Sequence, residues 1–152
     1  MYSFVFATSQ TQWQPPPSLR VPEIPDCSIG DIAVARAMPQ PHIRFCPANA
    51  ASINSMHPGA GHFYYVHEYG HIFGGPSEEQ ADAFAASELA RLRGGIFFLN
   101  AMLSHLYYRA QMGEPGRPGY GTPSSRAARI RYAALQANNR LNVDEQTLLL
   151  YE

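Results

Sequence analysis

Between residues 61 and 93 the sequence permits little besides two helices joined by a tight break. In residues 61–73 (GHFYYVHEYGHIF), Phe63, Val66, Tyr69 and Phe73 recur at three-to-four-residue intervals, the spacing of one helix face. Gly74-Gly75-Pro76 then stops that helix, because glycine accepts the left-handed cap conformation and proline cannot extend the hydrogen-bond ladder. Ser77, followed three positions later by Gln80, reads as a capping box that starts a new helix at Glu78. The core stripe of this second helix is Ala81, Ala85, Leu89 and Leu92, and Gly94-Gly95 ends it after Arg93.

The rest of the chain is organised around this pair. A short helix is expected over residues 48–56, ended by His57-Pro58-Gly59. Residues 96–112 predict a further helix whose IFFLNAMLSHLYY segment is apolar nearly all round, as in a central buried helix. Asn100, Ser104 and His105 interrupt it too early for a membrane span, and no transmembrane segment is expected. After a Gly- and Pro-rich loop (113–123), residues 124–138 predict a last amphipathic helix and 144–151 a short turn. Residues 8–26, rich in Pro, Gln and Ser, are expected to run as an extended leader, and 29–38 are too mixed to assign. Residues 42–47 (HIRFCP) alternate between prolines and read as a short edge strand. The expectation is a single domain over residues 1–152 of the α+β class, mainly helical. A small N-terminal sheet would pack on a helical core centred on the 61–73 helix.

Charge narrows the function classes. A net charge of -1, with 15% charged residues and no block of Lys or Arg, excludes a phosphate-tracking stripe, so nucleic acid is not an expected partner. Cys27 and Cys46 suit either one disulfide in an exported protein or two small buried hydrophobes in a reducing cytosol. The opening MYSFVFA lacks a basic n-region and is too short for a signal sequence, which leaves cytoplasmic and exported locations both open. Oligomeric state is not legible.

The chemistry lies in His67-Glu68-Tyr69-Gly70-His71, an H-E-x-x-H pattern. Four residues advance a helix by slightly more than one turn, so both imidazoles point from one face and can reach one metal ion. Zinc suits such donors, and a catalytic zinc usually has three protein ligands with a water in the fourth position. Glu68 sits about 100° around the helix from His67, beside the metal and able to act as general base on that water. The extended H-E-x-x-H-x-x-G-x-x-H pattern of the metzincins matches at Gly74 but fails at Ser77, which cannot be the third histidine. Glu78 and Asp82 offer two carboxylates four residues apart on one face of the next helix, although an acid in a first turn also serves the helix dipole.

Together, H-E-x-x-H and the following E-x-x-x-D resemble the gluzincin arrangement. The stretch EEQADAFA is similar to the E-x-x-A-D-x-F-A signature of small bacterial neutral zinc metallopeptidases, a resemblance covering residues 61–93. It implies that Glu78 is the third ligand to one zinc ion per chain, with Glu79 as fallback. It implies that Asp82 orients His67 and that the reaction is hydrolysis of a peptide or protein substrate. The alternative is a zinc-binding module that stabilises a fold or an interaction surface without hydrolysis. Some relatives carry a T-H-P element and a following Arg; here residues 121–126 (GTPSSR) lack the histidine, and no role is carried over from that element. His42, His57 and His62 are expected at the surface and His105 in the core, with a cleft-facing position as its alternative. Tyr64, Tyr65, Tyr69 and Tyr120 are candidate oxyanion donors.

Overall fold

A computed structural model describes residues 12–138. Three strands, β1 (Glu23–Pro25), β2 (Ala33–Arg36) and β3 (His42–Phe45), precede five helices: α1 (Pro47–Met56), α2 (Ala60–Gly74), α3 (Glu78–Arg91), α4 (Ile96–Gln111) and α5 (Pro123–Ala137). The class is the expected mainly helical α+β. The N-terminal residues MYSFVFA and the turn expected over 144–151 lie outside the described residues.

Side-chain caps set the starts of α3 and α5. Ser77 Oγ accepts from the Gln80 amide at 3.2 Å at the start of α3, and Thr122 Oγ1 accepts from the Ser125 amide at 3.1 Å at the start of α5. Gly75, at φ 97°, ends α2 in a conformation a side chain would strain. Phe63, Val66 and Tyr69 of α2 are fully buried, and they meet Leu89 of α3, Leu99 and Leu103 of α4 and Ile130 of α5 in one core. Burying an aliphatic or aromatic side chain of this kind contributes roughly 1.5–3 kcal/mol. α4 is less enclosed than its sequence suggests, because Tyr107 and Tyr108 lie exposed.

The sheet corrects one expectation. Its order is β1-β3-β2, so the 42–47 segment supplies the central strand and not an edge. β1 pairs with β3 in parallel and β2 pairs with it antiparallel. Pro41 and Pro47, which suggested an edge, fall outside the four paired residues and remove no ladder amide. Ile43 and Phe45 are accordingly fully buried, and the edge that borders α2 is β2, from the stretch left unassigned.

The Pro- and Gln-rich leader is also integral where it is described. Trp13 is buried, with its amide donating to His62 Nε2 at 2.7 Å and its Nε1 donating to Glu88 Oε1 at 3.0 Å. Glu23 then ties the segment to α2, accepting from Tyr65 and Tyr69 hydroxyls at 2.8 and 2.7 Å. His62 is therefore not a surface residue. It is 1% exposed, because a buried backbone amide needs an acceptor there. His42 is buried as well, between the Gln40 carbonyl and Arg44 Nε, and His57 is half-buried. Cys27 and Cys46 form a disulfide, joining the turn that precedes β2 to the start of α1.

Candidate metal centre

His67, Glu68 and His71 all come from α2, and Glu78 comes from the first turn of α3. Only six residues separate His71 from Glu78, so the two helices must pack closely for their side chains to meet. Gly70 permits this. A Cβ at that position would stand 2.9 Å from the Ala81 Cα, closer than packed carbon atoms come. α3 thereby lies against α2 with its first turn over the two imidazoles.

His67, His71 and Glu78 each present one ligand atom, and the three atoms lie within 4.8 Å of one another. The outer nitrogen of each imidazole is occupied: His67 Nδ1 donates to Asp82 Oδ1 at 2.8 Å and His71 Nδ1 donates to the Gly75 carbonyl at 2.9 Å. Both Nε2 atoms turn instead to one oxygen, Glu78 Oε1, at 3.1 and 2.8 Å. This donor set fits a divalent cation. Two imidazole nitrogens held by outer partners and one carboxylate oxygen converge on a common point, where protons otherwise bridge them. The group can hold a metal ion. Glu79, the fallback ligand, is exposed and pairs with Arg129 at 3.4 Å, away from the cluster.

The charges are strongly coupled. Burial alone would lower His67, but its hydrogen bonds to Asp82 and Glu78 outweigh that and raise its pKa to about 9. Burial pushes Glu78 up, yet hydrogen bonds from His67 and Tyr120 bring it down to about 2. Asp82, 2% exposed, is likewise held low against burial by His67 and Arg126. Glu68 differs: burial raises it to about 7 against the pull of His67 and His71. It makes no hydrogen bond to the cluster, its Oε2 standing 4.0 Å from His67 Nε2. A carboxylate poised near neutrality beside the ligand nitrogens suits proton transfer.

Arg126, which was not expected at the site, and Tyr120, expected only as a candidate oxyanion donor, complete the centre. Arg126 of α5, 3% exposed, forks onto Asp82 through Nε at 2.8 Å and Nη2 at 2.9 Å. Its guanidinium lies 4.3 Å from the ring centre of Tyr120, which in turn hydrogen-bonds Glu78 and stacks near His67. Arg126 belongs to the GTPSSR stretch that was assigned no role, and it follows the Thr122 cap by a helical turn. Of the four candidate tyrosines, Tyr65 and Tyr69 bind Glu23 on the opposite side, whereas Tyr64 and Tyr120 line the cleft.

Two cavities meet at Glu68. One, of about 670 Å³, lies between β2 and the C-terminal half of α2 and includes His71 and Glu78. The other, of about 420 Å³, lies between α1, the N-terminal half of α2 and α4, and His105 lines it, so the cleft-facing alternative holds for that residue. Glu68, Tyr120, Asp31 and Ala33 border both.

The fold and site define a mainly helical α+β protein with a candidate two-histidine, one-glutamate metal centre beside a cleft. Compared with known proteins, the chain matches no family model, no curated protein and no solved structure. Among the described residues no helix is long and apolar enough to cross a membrane.

Proposed function

We propose that this chain is a zinc-dependent endopeptidase in which His67, His71 and Glu78 hold one zinc ion and Glu68 is the general base. The observation that carries the reading is the position of Glu68. It is buried beside both ligand imidazoles, has no hydrogen bond to them, and stands where two cavities join. When bound, zinc would polarise a peptide carbonyl and lower the pKa of a water towards about 7. Glu68 takes the proton of the attacking water and passes it to the leaving amine.

The remaining residues position and orient. Asp82 holds His67 in the tautomer that directs Nε2 inward, and Arg126 keeps Asp82 ionised. The outer edge of β2 borders the larger cavity and offers unpaired backbone groups to an extended peptide, which fixes the scissile bond beside Glu68. Tyr64 lines the cleft where a carbonyl oxygen needs a donor, whereas the Tyr120 hydroxyl donates to Glu78.

The test combines elemental mass spectrometry with a cleavage assay on an unstructured protein. About one zinc per chain is expected, lost in His71→Ala. Glu68→Gln should retain the metal while losing roughly 10²–10⁴-fold in turnover. Zinc binding without cleavage of any substrate would favour a non-hydrolytic zinc module, and full activity in Glu68→Gln would overturn the mechanism.

A further inference from the structure

His57 and His105 stand outside the centre described above and line the smaller cavity. His57 is the C-terminal cap of α1 and His105 comes from within α4, yet their ring centres lie 5.3 Å apart at an interplanar angle of 63°. The imidazoles of His67 and His71 lie 4.8 Å apart at 84°, so the second pair has nearly the spacing of the first. Two imidazoles that share one tetrahedral zinc, through bonds of about 2.0–2.1 Å, hold their ring centres roughly 5 Å apart. One His57 nitrogen is already held: Nδ1 hydrogen-bonds Ser104 Oγ at 3.3 Å. The other, Nε2, is buried with no hydrogen-bond partner among the described residues. A buried polar atom left in this state costs about 1–3 kcal/mol, which a ligand bond would offset. Burial lowers the pKa of His57, and burial, with Arg109, the neighbouring His57 and Arg126, holds His105 down to about 3. Both rings are therefore neutral near pH 7 and keep a lone pair to offer.

We infer that His57 and His105 form a second site for a divalent cation of the zinc, copper or nickel kind, weaker than the three-ligand centre. Imidazole donors select these ions over magnesium and calcium, which take oxygen ligands. Among the described residues no third histidine, cysteine or carboxylate joins the pair, so waters in the cavity of about 420 Å³ complete the coordination. Arg109 and Arg126 oppose a further positive charge beside His105. The acids that line the same cavity, Asp31, Glu68 and Glu114, match its three arginines in number, so the ion does not enter a space of net positive charge. Two protein ligands instead of three, with arginines close by, set the lower affinity.

The experiment is equilibrium dialysis of the full-length protein against zinc alone, with bound metal counted by elemental mass spectrometry. The wild type should take up a second zinc at free concentrations at least about tenfold above those that fill the first, and His57→Gln should take up only one. His57 is half-buried at the end of a helix, so this variant is expected to fold. Ser104→Ala, which leaves both rings in place, should weaken the second uptake by about tenfold. A second equivalent retained in His57→Gln, or none in the wild type at about a hundredfold more zinc than fills the first site, would overturn the assignment. His71→Ala separates it from the peptidase reading: that variant should still bind one zinc, at the weaker affinity, and lose it when His57→Gln is added. A wild type that binds a single zinc dependent on His57 and not on His71 would leave the second site standing and sink the three-ligand centre.

Discussion

Asp82 has both carboxylate oxygens engaged, accepting from His67 Nδ1 and from two nitrogens of Arg126. Its charge fixes the His67 tautomer, and the arginine keeps that charge in place although the site is buried. Asp82→Asn is therefore expected to weaken zinc affinity by about 10–100-fold in competition with a chromophoric chelator. Glu79→Gln, at an exposed position paired with Arg129 among the described residues, should leave affinity unchanged. Equal losses in the two variants would contradict the assignment of Glu78 as ligand. At this scale the sequence was informative where chemistry is local. His67, Glu68, His71, Glu78 and Asp82 are related by helical spacing and could be picked out directly. Arg126 could not, because 44 residues separate it from Asp82 and only the packing of α5 on α3 brings them together.

Elements, in turn, depend on close contacts that small residues allow. Gly70→Ala would set a Cβ 2.9 Å from the Ala81 Cα and 3.1 Å from its carbonyl oxygen. Separating α2 from α3 should lower stability by about 1–3 kcal/mol. It should also weaken metal binding, since Glu78 rides on α3; chemical denaturation and zinc titration of the same variant check both. The N-terminal segment yields a pH prediction. Burial lowers His62 to about 4 from an ordinary value of 6.5, because the neutral ring must accept from the Trp13 amide. Below 6.5 the unfolded chain binds a proton that the folded one refuses. This contribution to stability is therefore present above pH 6.5, declines as the pH falls towards 4, and changes little below that. The fluorescence of Trp13, the single tryptophan, should report the loosening in this window, and His62→Gln should flatten the dependence. Helix bounds were legible from caps and breakers. The edge role given to residues 42–47 was wrong because proline neighbours describe a strand's ends, whereas its place in a sheet depends on which other segments pair with it.

Across the whole molecule, the Cys27–Cys46 disulfide closes a loop with a sequence separation of 19 residues around β2 and β3. Loop closure of this size contributes about 3 kcal/mol, so reduction should lower the melting temperature on the order of 10 °C. Calorimetry with and without reductant checks it, and an unchanged melting temperature would mean the sheet holds itself. The loop includes Asp31 and β2, which border both cavities, so the tether also steadies one wall of the cleft. By itself the sequence determined the helical class, the two-helix unit and the residues able to bind metal, because periodicity, capping and i,i+4 spacing act within a few residues. Tertiary structure alone decided that Glu78 rather than Glu79 meets the histidines. It also decided that β2 rather than β3 is the open edge, that Trp13 and His62 are core, and that Arg126 and Tyr120 complete the centre. Each of these depends on contacts between segments far apart in the chain, and the packing of a common core, not local spacing, determines which of them form.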